Sequence, residues 1–181
     1  LKNELTVEET YRRIAAAPQP PTTAQPSPQQ FALAYEQAAR EGADEIIAVT
    51  VSAGVSGTHA SAVIAAENPP VPVHVWDTWH VSMAAGWQAI VAGEMVQAGR
   101  DVQAILARLA GMRSSTRMAF SPANLKYIIA SGRVPRLRGT IGDLLNIKPV
   151  MMGVDGKLEP VAQVRTQRRA LEAMMELTLA P

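Results

Sequence analysis

Residues 49–61 read "VTVSAGVSGTHAS". An apolar, β-branched run breaks after Val51 into Ser52, Ala53, Gly54, Val55, Ser56, Gly57 and Thr58, and the chain returns at once to the helix-forming "ASAVIAAE" of 60–67. The turn offers short hydroxyls and unencumbered backbone at a helix start, with Ser56 as the expected N-cap. The same rhythm continues on both sides. "DEIIAVTVS" (44–52) reads as a buried strand and "VPVHVWD" (71–77) as a second one. Residues 81–98 read as a helix stopped by Gly99, and Asp101 caps another with Val102, Ile105, Leu106 and Leu109 on one face. Upstream, Ser27-Pro28 is an N-cap and first helical residue, with Phe31, Ala34, Tyr35 and Ala38 at helical spacing and Gly42 at the end. Helix and strand alternating over the first 110 or so residues argues for a parallel sheet with helices on its faces.

The chain changes character after residue 113. "RMAFS" (117–121) is a short strand candidate, "PANLKYIIASG" (122–132) a helix with Pro122 at its first position, and "TIGDLLNI" (140–147) a short helix. "KPVMMGVDGKLEPVAQV" (148–164) reads as two strands joined through Val154-Asp155-Gly156-Lys157, because Asp-Gly is a strong hairpin signal. Residues 166–179 read as a last helix. This pattern predicts an α/β protein of two domains, 1–113 and 114–181, the first strand of the one and the C-terminal part of the other being absent from these 181 residues. Near the start, five prolines fall within "APQPPTTAQPSP" (17–28), so that stretch is either a linker or a stiff extended segment lying over a site.

The bulk numbers exclude several classes. The formal net charge is +1 and aromatic residues make up 4%, so neither a basic footprint nor a stacking ladder for nucleic acid is visible. The chain has no cysteine, which removes thiolate chemistry and Cys-based metal sites. It carries no apolar run of the length that spans a bilayer, and no basic-then-apolar leader; the expectation is a cytoplasmic protein. "GVSGT" departs from G-x-S-x-G at Thr58 and lacks the G-K-[ST] of a phosphate loop. His59, His74 and His80 are not at metal-ligand spacing; His74 reads as a structural strand residue, His59 and His80 as polar rim residues.

Ligands of open parallel sheets sit beyond the carboxyl ends of the strands. Two such ends are legible, at 52–58 and at 77–82, and a helix start with free N–H groups attracts an anion. Arg165, Arg168 and Arg169 crowd the start of the last helix, where cations oppose its dipole, and Arg133, Arg136 and Arg138 lie on another loop with Lys126 and Lys148 nearby. A small anionic ligand or an acidic protein partner suits this local field.

In order, "TTAQPSP" (22–28), "VSAGVSGTHASA" (51–62), "DTWHVSMAAG" (77–86), "LKYIIASGRV" (125–134), "LNIKPVM" (145–151), "DGKLEP" (155–160) and "VRTQRRAL" (164–171) resemble the DegV family of fatty-acid-binding proteins over nearly the whole chain. The resemblance implies a two-domain α/β fold holding one long-chain fatty acid in a tunnel between the domains, with no other cofactor. It also implies a partner, a fatty acid kinase that phosphorylates the presented carboxylate for phospholipid synthesis, so that the binding protein is not itself the enzyme. Carried over by position, the ligand-binding region falls on Thr22, Thr23, Ser52, Ala53, Gly54, Ser56, Gly57, Thr58, Ser82, Arg133 and Arg165. Ala24 and Ala53 stand where the family often has serine, and Ala84 where glycine is usual.

Two other readings of the residues stand beside this one. An α/β enzyme acting on a small anionic metabolite would use Asp77 or His80 as its base. A protein-docking module would use Arg133, Arg136 and Arg165.

Overall fold

Val73 to Asp77 lies parallel to Ile46 to Thr50, in the register Ile46↔Val73 through Thr50↔Asp77. These strands, β1 (Ile46–Thr50) and β2 (Val73–Asp77), are joined by helix α3 (Thr58–Ala65), the crossover that a parallel pair requires. The computed structural model describes residues 5–123, 125–134 and 147–179. Helices α1 (Val7–Ala16) and α2 (Pro28–Arg40) precede β1, and α4 (Ser82–Gln97) and α5 (Val102–Ser115) follow β2. The second sheet is antiparallel, in the order β3 (Ala119–Phe120), β4 (Lys148–Val154), β5 (Lys157–Val164), with α6 (Leu125–Ala130) between β3 and β4 and α7 (Gln167–Leu179) after β5. The Asp155-Gly156 turn joins β4 to β5 as the sequence predicts, with φ of 47° and 77° at its two residues, the left-handed pair that a tight hairpin uses.

Each sheet has its own apolar cluster. Ala92, Ile105 and Leu109 are buried with Ile47, Val49, Trp76, Met95 and Met112 around them, which is the helix face expected of Ile105 and Leu109. Val134 and Met151 are buried with Phe120, Leu125, Ile128, Ile129 and Leu158. Tyr35 is the buried residue of α2 and donates its hydroxyl to the Ala62 carbonyl at 3.2 Å, fastening α2 to α3. Ser27 caps α2 in a reciprocal box with Gln30, so the Pro-rich segment ends abruptly where the helix begins.

Several sequence expectations are corrected. Gly57, not Ser56, is the N-cap of α3; the Ser56 hydroxyl instead meets Thr58, accepting from its backbone N–H at 3.3 Å and sharing a 2.8 Å bond with its hydroxyl. Pro122 does not open α6, which starts at Leu125. His80 is buried, not at a rim, with Nε2 3.1 Å from the Arg113 carbonyl. His74, by contrast, is the satisfied strand residue that the sequence predicts, lying in β2 and meeting Glu45 at 2.9 Å. The expected helix over 140–147, together with Arg136 and Arg138, lies outside the described residues, apart from Ile147. Among the described residues no helix is long and apolar enough to cross a membrane.

Candidate ligand site

The loop from Ser52 to Gly57 leaves β1 and is fastened at several points. Ser52 N–H donates to the His80 carbonyl at 2.9 Å, and Thr78 Oγ1 donates to the Thr50 carbonyl at 2.9 Å, so the loops after β1 and β2 are tied to each other. Asp77 accepts from the backbone N–H groups of both Ala53 (3.2 Å) and Trp79 (3.0 Å). This aspartate therefore acts as a staple between the two loops. The loop after β2 is strained: Trp79 and Ser82 have φ of 59° and 54°, a region that bulky residues rarely enter. The Arg113 guanidinium lies 4.5 Å from the ring centre of Trp76 and 4.4 Å from that of Trp79, and donates to the Asp77 carbonyl at 3.2 Å. That stacking holds Trp79 in place.

The β4–β5 hairpin docks on the same loops. The buried Ser52 hydroxyl donates to the Gly156 carbonyl at 2.5 Å. A Cβ at Gly54 would collide with that carbonyl oxygen, and one at Gly156 would sit 3.0 Å from Ser52 Oγ and 3.5 Å from the Trp79 ring. Glycine at both positions lets the two backbones meet.

On the other side of the loop, two cavities open. The smaller, of about 320 Å³, is polar and is lined by Thr23, Gln25, Ser56, Gly57, Thr58 and Arg133 among others. It faces the start of α3, which no side chain caps, so the positive end of that helix points toward it. The larger, of about 940 Å³, is mainly apolar and runs between α1, the Pro-rich segment and α6, past Tyr11, Ile14, Pro21, Thr22 and Tyr127. Thr23, Ser131 and Arg133 line both. Gly132, at φ 72°, turns the chain after α6 and sends Arg133 back across the groove. There its Nε donates to the Val55 carbonyl at 3.2 Å and its Nη2 to Thr23 Oγ1 at 2.9 Å, leaving the rest of the guanidinium fork for an anionic group.

Of the residues singled out in the sequence, Thr22, Thr23, Ser56, Gly57, Thr58 and Arg133 come together around these cavities. Ser52, Ala53 and Gly54 belong instead to the contact with the hairpin and the Asp77 staple. Ser82 opens α4 and Arg165 follows β5; both are exposed and line neither cavity. The basic start of α7 is balanced from within, since Arg168 and Arg169 both bond Glu172 at 3.0 Å. Sequence reasoning missed Gln25, Ser131 and Tyr127. Gln25 was within reach: it lies two residues past Thr23 in the "TTAQPSP" stretch that the sequence already singled out.

The family model described as "Uncharacterised protein, DegV family" matches residues 2–180. A DegV domain-containing protein of Streptomyces coelicolor is 36% identical over 173 residues, covering 94% of this chain and 62% of the relative. A protein of Thermotoga maritima named as a fatty acid-binding protein is 34% identical over 168 residues, covering 92% and 58% respectively. A DegV family structure from Thermus thermophilus, reported for its fatty acid binding, superposes with a TM-score of 0.85 at 32% identity, covering 97% of this chain and 62% of that one. The chain thus spans about three fifths of the length of the relatives it matches.

Proposed function

The chain belongs to the DegV family, and on that premise we propose that it forms part of a carrier for a long-chain fatty acid. The carboxylate would sit in the polar cavity against the Thr23, Ser56 and Thr58 hydroxyls, the N–H groups of His59 and Ala60 in the first turn of α3, and the Arg133 fork. The acyl chain would leave past Thr23 along Pro21, Tyr127 and Ala130 into the apolar cavity. The observation that carries this reading is the junction: a polar hollow at an uncapped helix start meets a mainly apolar one at Thr23, Ser131 and Arg133. The physical demand is plain. A carboxylate removed from water without donors costs several kcal/mol, whereas its tail gains about 0.8 kcal/mol for each buried methylene. The two cavities, about 320 and 940 Å³, are of the size that small-molecule sites commonly have.

In this reading 1–113 and 114–181 are two domains and the ligand lies at their border. The carrier performs no phosphoryl transfer; it presents the head group at the Arg133 side to a separate fatty acid kinase, whose acyl-phosphate product enters phospholipid synthesis. The test is to purify the protein, denature it and analyse the organic extract by mass spectrometry, then titrate the delipidated protein with palmitate. One equivalent of a long-chain acid in the extract and saturable palmitate binding are expected. A lipid-free extract together with no palmitate binding overturns the reading.

A further inference from the structure

One polar side chain lining the polar cavity, the exposed Gln25, makes no hydrogen bond to the protein. Thr23 accepts from Arg133, Ser56 and Thr58 bond each other, Ser131 donates to the Ile128 carbonyl at 2.6 Å, and Arg133 reaches Val55 and Thr23. Gln25 is the exception: among the described residues that line the cavity, its carboxamide alone has polar side-chain atoms and makes no hydrogen bond to the protein. Its position is nevertheless fixed from one side. A Cβ at Gly57 would lie 2.8 Å from Gln25 Nε2 and 2.9 Å from Cδ, so the amide rests directly on the glycine that begins α3. The extended backbone of the Pro-rich segment carries it there, two residues beyond Thr23, and the Ser27 cap of α2 anchors the segment just after it.

Resting on the carboxylate reading above, we propose that Gln25 is a head-group-recognising residue, donating an amide N–H directly to the ligand carboxylate. The chemistry suits the place. An amide contributes a donor without a charge, and Arg133 is the one ionisable side chain among the described lining residues. Gly57 is then required for a second reason besides the cap: any larger residue would push the amide off the helix start.

The test uses the intact protein, palmitate, and hexadecanol as an uncharged ligand of the same chain length. Gln25→Glu keeps the shape and places a negative charge beside the carboxylate, so palmitate is expected to weaken about tenfold or more, while hexadecanol binding and the melting midpoint stay where they were. Palmitate affinity within about twofold of the unaltered protein, or an equal loss of both ligands, overturns the assignment of Gln25 and leaves the carrier reading standing. Failure of the unaltered protein to bind palmitate overturns both.

Discussion

Ser52 and Gly156 lie 104 residues apart in sequence and are joined by a 2.5 Å hydrogen bond from a buried hydroxyl to a backbone carbonyl. The bond connects the loop after β1 to the tip of the β4–β5 hairpin, and the loop's other face opens on the polar cavity. Replacing Ser52 with alanine leaves the carbonyl of buried Gly156 without this donor. Ser52→Ala is expected to destabilise by about 1–3 kcal/mol, read as a lower urea midpoint at unchanged slope.

Gly54 tests the same contact by volume. Its φ is not in the left-handed region, so the demand for glycine there is steric: a methyl group would meet the Gly156 carbonyl oxygen, a backbone atom that cannot rotate away. Gly54→Ala is expected to cost about 1–3 kcal/mol. Gly93→Ala, in α4 with open space around it, is the matched control and should be neutral or slightly stabilising. Equal midpoints for the two variants would contradict the proposed close approach.

Arg113 between Trp76 and Trp79 predicts a non-conservative outcome for a conservative change. Lysine has no planar fork to stack on two rings while bonding the Asp77 carbonyl. Arg113→Lys should cost about 1–2 kcal/mol and release Trp79 from its strained conformation, seen as a red shift in tryptophan emission.

Arg133 should behave in the opposite way. It is exposed and bridges Thr23 to Val55, so Arg133→Gln is expected to change stability by less than about 0.5 kcal/mol. Palmitate affinity should fall about tenfold, the worth of one charge-assisted hydrogen bond. Isothermal titration on the delipidated protein, paired with a melting curve, separates the two effects.

Tyr35 carries a pH signature. Burial pushes its phenol above the ordinary tyrosine value near 10. The unfolded chain therefore loses this proton first. The contribution of Tyr35 is whole below that ordinary value and declines as pH climbs toward the raised folded one. Urea midpoints measured from pH 9 upward should fall more steeply for the unaltered protein than for Tyr35→Phe, which has no proton to lose there.

The local elements were legible because their signals are local. The small-residue turn after β1, the Asp-Gly hairpin, the Ser27-Pro28 cap and the stripe through Ile105 and Leu109 all appear where nearest neighbours predict them. What escaped depends on distant partners. Nothing near Gly54 announces that Gly156 will press against it. Trp79 and Ser82 take left-handed backbone without glycine; for Trp79 the compensating group, Arg113, sits 34 residues further on. Ser56 falls one residue short of the cap, because α3 begins at Thr58, and its hydroxyl bonds Thr58 instead. The residues picked for the ligand thus divided: the ones on the α3 side of the loop gather at the cavities, while Ser52 to Gly54 hold the hairpin.

Hairpin tips are ordinarily the safest places to splice in a tag or a fluorescent domain, because they project into solvent. Here the tip is a keystone: Gly156 is buried under Ser52 and Trp79, and although Asp155 beside it is exposed, an insertion at Asp155-Gly156 would displace Gly156 from the loops it joins. Gly99, exposed at the end of α4 with nothing pressed against it, is the more permissive splice point for labelling this protein without disturbing its groove.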